Sequence, residues 1–103
     1  MARIRLWVDD QRLPPPDFNA HAKTYVEAID WLKTGKVVAI SLDHDLGEDR
    51  TGHDVATWIE EMAMYGAIGR IRWTVHTENP VGRARILQAL NNAETHWRQN
   101  SRC

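Results

Sequence analysis

Cysteine is almost missing from this sequence. Cys103 is the only one in 103 residues, so no disulfide can close within the chain, which fits a reducing compartment. An excess of either charge is lacking too: 13 Lys and Arg stand against 14 Asp and Glu, for a formal net charge of −1. That disfavours a grip on duplex nucleic acid through a clustered basic field. A nucleotide, an RNA end or another small phosphate compound stays open as a partner. No apolar run reaches the length of a bilayer span, and the opening Met1–Asp10 turns acidic too soon for a secretion signal. A cytoplasmic protein without membrane contact is expected. Repeats, low-complexity tracts and internal linkers are absent, so residues 1–103 read as a single domain.

What is present alternates between strand and helix patterns. Residues 3–8 place Ile4, Leu6 and Val8 at a period of two, a strand. Pro14, Pro15 and Pro16 make a stiff loop after it, and a short extended piece follows near residues 19–23. Thr24 and Glu27 form a capping box for a helix that sends Ala22, Val26, Ile29 and Leu32 inward and stops at Gly35. Val37–Leu42 is nearly all apolar, as in a central parallel strand. The second helix presents Val55, Trp58, Ile59 and Met62 on one face and leaves through Gly66 and Gly69. Arg70–His76 is the fourth strand. The last helix runs from about Val81 to about Trp97, with Ile86, Leu90, Ala93 and Trp97 inward and a frayed polar tail behind.

The expected fold is α/β, a parallel sheet of about four strands in the order 2-1-3-4. Both helical crossovers then move in one direction, so right-handedness puts the helices mainly on one face. The step from the first strand to the second reverses direction, and there the chain offers a proline loop. The opposite face, with Trp7 beside Arg3, Arg5, Arg72 and Thr74, is expected to be bare until a second copy or the C-terminal tail covers it.

Three strands end in reactive residues: Asp9-Asp10, Asp43-His44-Asp45 and His76-Thr77. Ligands of open parallel sheets sit beyond the carboxyl ends of the strands, so these distant segments become neighbours. Crowded carboxylates repel one another unless a cation joins them, and Asp9, Asp10 and Asp43 suit Mg²⁺ or Mn²⁺. His44 and His76 can move protons near neutral pH, with Asp45 orienting one imidazole, and this suits phosphodiester hydrolysis. As metal ligands they would turn the site toward Mn²⁺ or Zn²⁺ instead. Thr77, Gly82 and Arg83 are candidates to hold a phosphate at the start of the last helix. Thr51-Gly52-His53-Asp54 reads as helix capping, His21, His53 and His96 as surface residues, and the five tryptophans as packing rather than base stacking.

The segments Leu6–Asp10, Ile40–Gly47, Thr51–Asp54 and Val75–Gly82 together resemble the cyclic-phosphate processing receiver-like domains, a divergent branch of the response-regulator receiver fold. The resemblance implies flavodoxin-like ancestry and a role in processing cyclic phosphate ends during RNA repair. It equates Asp9 and Asp10 with a receiver's acidic pair and Asp43 with its phosphoacceptor. Two features depart from an ordinary receiver: prolines replace its first helix, and no lysine follows Asp43, since Lys23, Lys33 and Lys36 all precede it. A phosphoesterase is the leading expectation. A phosphate-switched signalling module and a non-catalytic domain binding a cyclic nucleotide or a partner are the alternatives.

Overall fold

The computed structural model describes residues 3–100, so Cys103 lies outside the described residues. In chain order the elements are β1 (Ile4–Val8), β2 (Ala20–Ala22), α1 (Tyr25–Lys33), β3 (Val37–Leu42), α2 (Gly52–Met64), β4 (Arg72–Val75) and α3 (Pro80–Asn100). The strands form one parallel sheet in the order β2-β1-β3-β4, as the crossover argument requires. Leu6, Val8, Ile40 and Leu42 come from the two central strands. They meet Ile29 and Leu32 of α1, Val55 and Ile59 of α2, and Ile86 and Leu90 of α3 in one buried core. The helices cover that single face, with α2 packed chiefly against α3. Among the described residues no helix is long and apolar enough to cross a membrane.

The other face is not bare. The right-handed rule that stacks the helices on one side sends the oppositely directed β1–β2 connection across the other. Trp7 is only 8% exposed. Its ring meets Phe18 edge-on at 5.2 Å and stacks on His76 at 3.8 Å, and its Nε1 donates to the Arg12 carbonyl at 3.0 Å. The loop itself therefore covers the tryptophan. Asn19 fastens the loop's far end, accepting from the Arg5 N–H at 2.7 Å and donating to the Arg3 carbonyl at 2.9 Å.

Four smaller expectations are corrected. Val26 is 64% exposed; Ala28 takes its place in the core beside Ile29 and Leu32. Met62 is only half-buried, and Ala63 fills that position. Thr24 does cap α1, but Glu27 reaches back to the Lys23 N–H rather than to the cap; the reciprocal box is Thr51 with Asp54 on α2. Arg98–Asn100 continue α3 instead of fraying, because the Asn100 side chain donates to the Ala63 carbonyl at the end of α2, 2.7 Å away.

Candidate active site at the carboxyl rim of the sheet

Strand register decides which reactive residues meet. Trp7, Ser41 and Thr74 lie side by side across β1, β3 and β4. Two residues further on, the same row and face carry Asp9, Asp43 and His76. The ladder extends just far enough to hold them: Asp9 N–H donates to the Ala22 carbonyl, Asp43 N–H to Val8 and His76 N–H to Leu42, each at 3.0 Å.

Asp9 is fully buried, and its carboxylate accepts three hydrogen bonds. One oxygen accepts the N–H groups of Gln11 at 2.8 Å and Arg12 at 2.9 Å; the other accepts His76 Nε2 at 3.0 Å. Burial alone would raise the Asp9 carboxyl. The Arg12 and Gln11 N–H groups and the His76 ring outweigh it and hold the group below the ordinary 3.8. His76 moves down too: burial pushes it below the ordinary 6.5, against the pull of Asp9 and Asp43. Its Nδ1 lies 2.8 Å from Ser41 Oγ, which in turn accepts the Thr74 hydroxyl at 2.8 Å. If Ser41 donates to Nδ1, the chain Thr74, Ser41, His76, Asp9 runs in one direction with the ring neutral.

Asp9, Asp43 and His76 each bring a ligand atom within 4.8 Å of the others. The expected trio had Asp10 where this cluster has His76. Asp10 follows Asp9 by one residue, and its carboxylate lies instead against Gly47. A Cβ there would come 2.7 Å from Asp10 Oδ2, and Gly47 has φ +68°, so both space and backbone call for glycine. Two carboxylates and an imidazole make a donor set that could hold a divalent cation.

His44 occupies a second position on the rim. Its Nδ1 is 3.0 Å from Asp45 Oδ1, and among the described residues nothing hydrogen-bonds its Nε2. Its ring rests on the first turn of α3, where a Cβ on Gly82 would fall 2.3 Å from it. The loop carrying His44 is closed by Gly52 N–H to the His44 carbonyl at 2.7 Å and anchored by buried Leu46. Glu48 accepts the Tyr25 N–H at 2.8 Å, and Arg50 lies 4.7 Å over the Tyr25 ring.

The expected phosphate cradle has partners of its own. Thr77 is buried and accepts the Asn79 N–H at 3.2 Å, Gly82 N–H donates to the Asn79 side chain at 3.0 Å, and Arg83 donates to the Val75 carbonyl at 3.1 Å. Residues that sequence reasoning passed over are Ser41, Thr74, Asn79, Arg12 and His21, whose Nε2 sits 2.7 Å from the Asp9 carbonyl oxygen. For Ser41 and Thr74 the signal was the alternation that aligned Trp7 with Asp9.

Comparison with curated proteins and with solved structures finds no match. The family model described as the cyclic-phosphate processing receiver domain matches residues 4–92, spanning every strand and both rim histidines, and the chain belongs to that family.

Proposed function

We propose that this domain hydrolyses a cyclic phosphate ester, on an RNA end or a nucleotide and in the setting of RNA repair. Asp9, Asp43 and His76 would hold a divalent cation, and His44 would move the proton. What supports this most is the pairing on one rim of a cation-type ligand set with a separate histidine whose Nε2 is free of protein hydrogen bonds. A bound cation supplies neutralising charge to the phosphate and acidifies a water ligand.

Hydrolysis bonds a water oxygen to phosphorus and breaks one ring P–O bond. The proton lost by the water is matched by one gained at the departing oxygen. Asp45 accepts from His44 Nδ1–H, which leaves Nε2 of the neutral ring as an acceptor suited to the water proton. With Ser41 Oγ accepting from Nδ1–H, the Nε2 lone pair of His76 and Asp9 Oδ2 would face one cation together, so we assign His76 to cation holding rather than to proton transfer.

The purified protein is expected to open 2′,3′-cyclic nucleotides with Mn²⁺ or Mg²⁺ and to stop in EDTA. His44→Ala should lower turnover by about 10²–10⁴-fold with the fold intact by circular dichroism. Unchanged turnover in His44→Ala, or in EDTA, would overturn the assignment. Binding without product would identify a binding domain instead. A stable adduct at Asp43 after acetyl phosphate and Mg²⁺, read by intact mass, would identify a signalling module.

A further inference from the structure

Arg12 is held at the rim with unusual care for a loop arginine. Its N–H donates to Asp9 Oδ1 at 2.9 Å, and its carbonyl accepts the Trp7 indole at 3.0 Å. Pro14, Pro15 and Pro16 stiffen the chain just beyond. The same Asp9 that stands in the Asp9–Asp43–His76 cluster thus fixes the Arg12 backbone beside it. The guanidinium is half-exposed: Nη1 reaches the His76 carbonyl at 3.4 Å and Nη2 the Glu78 carboxylate at 3.4 Å. Both contacts are long, and Glu78 is 88% exposed, so an ion pair of this kind holds weakly. A guanidinium presents a planar fork of donors that matches two oxygens of a phosphate. Arg83, which the sequence offers for that task, already donates to the Val75 carbonyl.

We infer that Arg12 is the phosphate-gripping residue of this site and that Glu78 occupies its fork until a phosphate ester displaces it. The inference rests on the phosphoesterase reading and adds to it the residue that selects an anionic substrate. It gives Asp9 a double task, since losing that carboxylate releases the arginine as well as a cation ligand.

The test compares Arg12→Met, Arg12→Lys and Glu78→Gln with the wild type. Readouts are the KM and kcat for 2′,3′-cyclic AMP, the Kd for inorganic phosphate and the Kd for Mn²⁺ alone. Arg12→Met is expected to raise KM and the phosphate Kd tenfold or more, with Mn²⁺ affinity unchanged within twofold. Arg12→Lys should recover part of the loss. Glu78→Gln should tighten phosphate two- to fivefold, because it removes the competitor for the fork. An active wild type whose KM and phosphate Kd do not move in Arg12→Met overturns this inference and leaves the phosphoesterase reading standing. If Arg12→Met does not fold, unaltered or weaker phosphate binding in Glu78→Gln overturns it. A wild type that neither turns over the cyclic nucleotide nor binds phosphate overturns both.

Discussion

Asp9 is a buried carboxylate that accepts three hydrogen bonds. Asp9 has this character because it answers two demands: it closes the turn into the proline loop through two N–H groups, and it faces His76. Truncating it would leave those N–H groups without partners, at about 1–3 kcal/mol for each that stays buried. The same contacts make stability depend on pH. Asp9 is held below 3.8 in the fold, so its contribution is complete above that value and is lost as pH falls through its lower folded pKa. His76 is held below 6.5, so the unfolded chain takes up that proton first; its contribution is complete above 6.5 and shrinks as pH drops below. Metal-free protein is therefore expected to lose thermal stability in one step starting near pH 6.5 and another below pH 3.8. Thermal melts from pH 3 to pH 8 check this, and His76→Gln should lack the upper step.

At the scale of elements, the β3–α2 loop and the start of α3 act as one piece. The loop is tied to α1 through Glu48 and Arg50, to the core through Leu46 and to α2 through Gly52. Its histidine lies on Gly82. Glycine-to-alanine exchange inside a helix ordinarily favours the helix by up to about 1 kcal/mol. At position 82 the added methyl would sit 2.3 Å from the His44 ring, and such overpacking costs roughly 1–3 kcal/mol. The clash is the larger effect, so Gly82→Ala is expected to be less stable in urea and to lose turnover together with His44→Ala. A more stable, fully active Gly82→Ala would show that His44 does not depend on this contact. At Gly52 the obstacle is backbone: a Cβ would lie 1.8 Å from the Asp43 carbonyl oxygen, so that glycine should tolerate no substitution.

For the whole molecule, the proposed cation links function to stability. A ligand that binds only the folded state at 100 times its Kd adds about 2.7 kcal/mol. In a domain of this size that raises Tm by roughly 10–20 °C. Mn²⁺ is expected to produce such a shift in the wild type, measured by scanning calorimetry, and little or none in Asp43→Asn. Equal shifts in the two proteins would remove Asp43 from the ligand set.

Much of this was written in the sequence. A nearly continuous apolar run located Val37–Leu42, and the 3.6-residue period that one-sided burial imposes located the helices that flank it. Chain handedness then arranged the strands as β2-β1-β3-β4, and residue types at the strand ends marked the rim. Tertiary structure alone decided which of those residues meet. Alternation turns adjacent residues to opposite sides, so Asp9 and Asp10 part company, and only parallel register shows that Asp9 finds its partners in Asp43 and His76. The cover over Trp7 was likewise invisible locally. A proline loop has no periodicity to show what it packs on, and its place follows only from the direction in which the chain must cross the sheet.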